Sequence, residues 1–67
     1  MARIRVHAGA RIFRSDEGRE DADVVKTPME TTAEVLRDGY DIVYEFVYQK
    51  DGQWGLWTVG SEDVTVL

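Results

Sequence analysis

The stretch that decides the fold is Tyr40-Asp41-Ile42-Val43-Tyr44-Glu45-Phe46-Val47-Tyr48-Gln49-Lys50-Asp51-Gly52-Gln53-Trp54-Gly55-Leu56-Trp57-Thr58-Val59. Two runs rich in aromatic and β-branched residues flank Lys50-Asp51-Gly52, and Asp-Gly is a preferred pair for a tight hairpin turn. With Asp51 and Gly52 as the loop, Lys50 faces Gln53, Val47 faces Leu56, Phe46 faces Trp57 and Tyr44 faces Val59. Side chains alternate along a strand, so Ile42, Tyr44, Phe46, Tyr48, Trp57 and Val59 share one face. The other face carries Val43, Val47, Trp54 and Leu56, mixed with Glu45, Gln49 and Thr58. A sheet with one wet face alternates apolar with polar. This hairpin has apolar residues on both faces, so the first reads as core and the second as either a covered surface or a contact surface.

Working outward, Ala2–Ala8 alternates as a half-buried strand, with Ile4 and Val6 on one side and Arg3, Arg5 and His7 on the other. Residues 10–14 form a second short strand, with Ile12 and Phe13 on opposite faces. Residues 15–23 read as a polar surface loop, and Asp23–Thr27, which contains Val24-Val25, as a further short strand. Residues 27–39 read two ways. Thr27-Pro28-Met29-Glu30 has the signature of a helix start, Met29, Ala33 and Leu36 fall on one helical face, and Gly39 sits where a helix ends. Against this, Thr31, Thr32 and Val35 are β-branched and favour a turn plus strand. Residues 60–62 make another turn, and Asp63–Leu67 a last strand.

The chain has 67 residues and no cysteine, so disulfides, thiolate metal sites and cysteine nucleophiles are excluded. A domain of this size buries only about 60% of its unfolded surface and draws roughly 3–5 kcal/mol from its core. No apolar run has the length of a membrane span, and the arginines of the first strand argue against a signal peptide. Net charge is −5, unevenly placed: residues 1–14 carry +4 and residues 15–67 carry −9. This balance argues against direct binding to nucleic acid or to an anionic membrane, both of which need basic surface. It suits a protein partner with a basic surface, drawn in by electrostatic steering.

Sites for other chemistry are missing. His7 is the sole histidine, and zinc needs three or four ligands. Ser15 and Ser61 have no motif of an activated nucleophile, and the six glycines form no phosphate loop. Residues 16–23 lack the spaced pattern of a calcium loop. The expectation is a non-catalytic chain without cofactor or metal.

From Val35 to Leu67 the order of signals resembles a Src-homology-3-like barrel, above all the bacterial kind. The residues are Leu36-Arg37-Asp38-Gly39 leading into a strand, Gly52-Gln53-Trp54 opening the next, and Val64-Thr65-Val66 as a short closing strand. The resemblance implies a small antiparallel barrel and carries Trp54 over as a ligand-binding position. The family's acidic-tyrosine stretch and Pro-x-x-Tyr element, which line its polyproline groove, have no counterpart here.

The expected fold is therefore mainly β within the α+β class: one domain over residues 1–67, a small antiparallel sheet or Src-homology-3-like barrel of four to five strands, with a short helix near 28–38. The expected function is binding or inhibition by protein–protein contact. The contact residues expected are Asp16, Glu17, Glu20, Asp21 and Asp23 of the acidic loop, with Trp54 and Glu45 of the hairpin. A sharper form is a phage or mobile-element inhibitor in the host cytoplasm that imitates the charge of DNA before a host nucleic-acid-binding defence enzyme. The alternative is an assembly subunit that forms homo-oligomers through sheet edges and its aromatic face.

Overall fold

Residues 29–38, where the two sequence readings compete, form a strand. The computed structural model describes residues 1–15 and 21–67. Its elements are β1 (Ala2–Val6), β2 (Arg11–Arg14), β3 (Ala22–Val24), β4 (Met29–Asp38), β5 (Asp41–Lys50), β6 (Gln53–Gly60), a 3-10 turn (Ser61–Asp63) and β7 (Val64–Val66). The strands form one antiparallel sheet in the order β3-β2-β6-β5-β4-β1-β7, curled into a half-barrel.

The expectation of four to five strands plus a helix is thus corrected to seven strands and no α-helix among the described residues. Tertiary pairing overrode the local helix signals. Met29–Ala33 pairs with β1 and Glu34–Asp38 pairs with β5, so every residue of the strand lies in a ladder that its β-branched side chains suit. Glu30, read as part of a capping box, instead meets Arg5 at 3.1 Å and Arg3 at 3.7 Å across the β1 pairing. Gly39 has φ 64 and turns β4 into β5. A helix end and a tight hairpin both ask for glycine in this conformation, which is why the same residue fits either reading.

The hairpin has the register expected: Lys50 pairs with Gln53, Phe46 with Trp57 and Tyr44 with Val59. Asp51 and Gly52 both have positive φ, 52° and 78°, as this two-residue turn requires. The concave side holds the core. Ile4, Val6, Ile12, Phe46, Trp57 and Val59 are its largest fully buried side chains, with Tyr44, Ala10, Val25 and Ala33 around them. Within the sheet β4 changes neighbours midway, β1 up to Ala33 and β5 from Glu34 onward. That switch divides the sheet into a small half (β7, β1, first part of β4) and a large one (second part of β4, β5, β6, β2, β3).

Candidate binding face

The convex side of the large half presents the second face of the hairpin. Alternation puts Val47, Trp54 and Leu56 there, because their neighbours Phe46 and Trp57 are committed to the core. Trp54 is 67% exposed and Val47 55%. The pairing extends the patch sideways. Phe13 lies opposite Thr58 in β2, and Leu36 lies opposite Val43 in β4, and both Phe13 and Leu36 are exposed. A shallow cleft of about 570 Å³ runs between these two, bounded by Arg14, Ser15, Arg37 and Glu45.

Two carboxylates share this face. Glu34 and Glu45 are directly opposite each other across β4 and β5. Glu45 accepts a hydrogen bond from the Ser15 hydroxyl at 3.0 Å, and among the described residues neither carboxylate pairs with a cation. Like charges directly opposite in a sheet are destabilising, so the fold gains nothing from this placement.

Of the loop acids, Asp16, Glu17 and Glu20 lie outside the described residues. Asp21 and Asp23 are brought together at the mouth of the half-barrel rather than standing apart as solvated charges. Asp21 sits 2.9 Å from Lys50 Nζ and 3.5 Å from Arg14 Nε. The ammonium of Lys50 also donates to the carbonyl of Ala22 at 3.1 Å. Both cations lie near the Trp57 ring, Arg14 at 5.3 Å and Lys50 at 5.6 Å from its centroid, within cation–π range. Asp23 accepts the Tyr48 hydroxyl at 2.9 Å, and Tyr48 in turn meets Trp57 edge-on at 5.4 Å. The side chains of Tyr48 and Lys50 follow the core-facing alternation of Phe46, so this network fastens β3 over the open end of the core.

The titration of these groups follows their contacts. The hydrogen bond from Tyr48 holds the Asp23 carboxyl below its usual value, with burial opposing it and the Val24 amide and nearby lysines assisting. Burial and the bond to Asp23 raise the Tyr48 phenol. The bond to Asp21 raises Lys50. These are strengthened ion and hydrogen-bond pairs, each group favoured in the state it holds near neutral pH. Next to them lies a cleft of about 600 Å³ between residues 23–29 and residues 48–51. His7, the sole histidine, shares a 2.7 Å hydrogen bond with Thr65. Among the described residues no group of three His, Asp or Glu side chains is placed to hold a metal ion. No described helix is long and apolar enough to cross a membrane.

The structure therefore keeps Trp54 and Glu45 together on one surface and separates Asp21 and Asp23 from it. It adds Phe13, Leu36 and Glu34, which the sequence reading left out. The signal for the last two was present: in strand alternation Thr32, Glu34 and Leu36 face opposite to Thr31, Ala33 and Val35. A helix would set Leu36 beside Met29 and Ala33, both of which point to the core.

No protein-family model matches the chain, and no curated protein or solved structure matches it.

Proposed function

We propose that this chain is a non-catalytic binding protein that engages a protein partner through the convex face around Trp54, Val47 and Leu56. The observation that carries this reading is an exposed apolar patch that shares its face with two carboxylates, Glu34 and Glu45, which among the described residues form no ion pair. Exposed contiguous apolar surface marks interaction sites, and Trp is enriched among the residues that anchor interfaces. The carboxylate pair favours a partner with a basic surface, as does the overall charge of −5. Inhibition of a host nucleic-acid-binding enzyme in the cytoplasm by charge imitation, of phage or mobile-element type, is the sharper form of this proposal. It rests on the −9 of residues 15–67. Asp21 and Asp23 contribute less to it than their number suggests, because Arg14, Lys50 and Tyr48 already meet them.

A Src-homology-3-like fold is part of the same proposal. Its support is the strand β4 shared by two sheet halves, the meander β4-β5-β6, the short turn of 3-10 helix, and β7 closing beside β1. In that setting Trp54 remains the position carried over as ligand-binding.

The test is affinity capture on the immobilised chain, followed by binding kinetics against the captured protein at two salt concentrations. Trp54→Ala is expected to speed dissociation, as loss of an anchor does. The double variant E34Q/E45Q is expected to slow association and flatten its salt dependence. A chain that captures nothing and sediments as a stable homo-oligomer overturns the reading in favour of an assembly subunit.

A further inference from the structure

We propose that the open edge of β5 beyond Glu45 receives an extended basic segment of the partner as an added strand. This rests on the protein-contact reading above and specifies how the contact is made. The edge exists because β4 leaves β5 early. Their pairing runs only from Asp38 opposite Asp41 to Glu34 opposite Glu45, and from Ala33 back β4 belongs to β1. Residues 46–50 of β5 therefore have β6 on one side and, among the described residues, no strand on the other.

Turn geometry says which backbone groups are left over. A two-residue hairpin loop closes on a hydrogen-bonded pair. Lys50 opposite Gln53 is such a pair, so Lys50, Tyr48 and Phe46 direct their backbone groups at β6. The loop at Gly39-Tyr40 closes on Asp38 opposite Asp41, so Asp41, Val43 and Glu45 direct theirs at β4. Val47 and Gln49 continue that second row and point into the space β4 has vacated. Neither has a backbone bond to a turn, loop or further strand among the described residues, and both are exposed.

Proteins blunt free edges by keeping them short or by placing proline or a projecting lysine on them. The terminal edges of this sheet obey: β3 and β7 have three residues each. The β5 edge has neither proline nor a projecting lysine, since Lys50 is held by Asp21 and the carbonyl of Ala22. An extended chain paired there restores the missing ladder, and main-chain bonds give affinity while alternate side chains give specificity.

Charge selects the occupant. An added strand continues the line of β4 and lies beside Val47 on the convex face, with its end near Glu34 and Glu45. Its outward side chains then meet one apolar neighbour and two carboxylates. A second copy of this chain brings its own carboxylates and a charge of −5 to the same place. A segment alternating arginine or lysine with aliphatic residues matches both demands.

The probe is a capped hexapeptide alternating arginine with valine. Its controls are the same peptide N-methylated at alternate residues and one with glutamate in place of arginine. Amide exchange and ¹⁵N–¹H shifts are read at Val47 and Gln49, with sedimentation alongside. In the free monomer these two amides are expected to exchange fast, and saturating peptide is expected to slow them about tenfold or more. Each lost backbone bond weakens binding severalfold, so the N-methylated peptide should bind about tenfold more weakly or worse. Val47→Pro should keep a cooperative melt, since proline is tolerated on an edge, and lose the peptide.

Protection of Val47 and Gln49 in the free chain overturns the proposal: if independent of dilution, the chain itself covers the edge, and if lost on dilution, a second copy does. Equal binding of the glutamate peptide removes the basic occupant. Binding that shifts Trp54 and Leu56 and ignores N-methylation removes strand addition but leaves the convex face as the contact site. No shift at either place removes both.

Discussion

Glu30 and Glu34 stand four residues apart on the same strand and on the same side of it. Glu30 belongs to the small half of the sheet, where Arg5 and Arg3 meet it from β1, and the neighbouring outer positions are Thr32, Thr65 and His7. Glu34 belongs to the large half, where the pairing sets it opposite Glu45, on the face that also carries Leu36, Val47, Leu56 and Trp54. In one half the outward residues satisfy one another and water. In the other, exposed apolar residues and a like-charge pair stand among polar ones such as Gln49 and Thr58. Both halves are built from the same alternating strands, so the difference lies in which residues fill the outer positions. On the proposed reading, the face of the large half is the one that a partner covers.

The largest expected effect separates the two faces of the large half. Trp57→Ala removes a fully buried ring and should cost roughly 3–5 kcal/mol, close to the whole stability of so small a domain. Trp54→Ala, three residues away on the convex face, should stay within about 0.5 kcal/mol. Denaturant melts of the pair check this, and equal losses would mean that the convex face is packed within the chain.

Next comes the turn that sets both faces. Gly52 has φ 78, and a side chain there would meet no atom within 4 Å. Gly52→Val should therefore cost about 1 kcal/mol or more through backbone strain alone. A melt unchanged from the parent would show that the hairpin tolerates another turn, and with it another division of its faces.

The two glutamates themselves give a smaller and sign-dependent contrast. Glu34→Gln relieves a like-charge pair and should stabilise by about 0.2–1 kcal/mol. Glu30→Gln breaks half-exposed ion pairs and should destabilise by about 0–1 kcal/mol. Opposite signs in matched thermal melts support the contrast between the halves, and equal signs break it.

The least effect expected is in the pH profile of the network that fastens β3. Asp23 is held below its usual 3.8, so the stability it contributes is present above that pH and fades as the pH falls through its lowered value. Tyr48 and Lys50 are raised from 10.0 and 10.5, so their contributions are whole below pH 10 and fade as the pH climbs through the raised values. Melts of Tyr48→Phe against the parent at both extremes measure this. The variant should lose part of each slope while leaving binding at the convex face unaltered.

Much of this was legible in the residues. The Asp51-Gly52 turn, the pairing of Phe46 with Trp57 and the exposure contrast between Ile12 and Phe13 follow from turn chemistry and period-two alternation, which act over a few neighbouring residues. Trp54 and Glu45 were found as surface candidates for the same reason. Met29–Asp38 was not legible as one strand, because Thr27, Pro28, Glu30 and Gly39 satisfy helix rules locally while the partners that make it a strand, β1 and β5, come from distant parts of the chain. Asp21 and Asp23 looked like free loop charges, because nothing in their own neighbourhood announces Lys50, Arg14 or Tyr48.

Local geometry follows from neighbouring residues alone: where the chain turns, which residues alternate, and that one hairpin carries two apolar faces. What the folded sheet settled was the state of the second face: Val47 and Trp54 stay exposed, because no described strand closes over them. The tertiary structure also decided that β4 changes partners at Ala33, so that among the described residues no strand pairs with β5 on that side beyond Glu45. Pairing between distant segments is set by the summed burial and hydrogen bonding of the whole sheet, a quantity that no short window of residues contains.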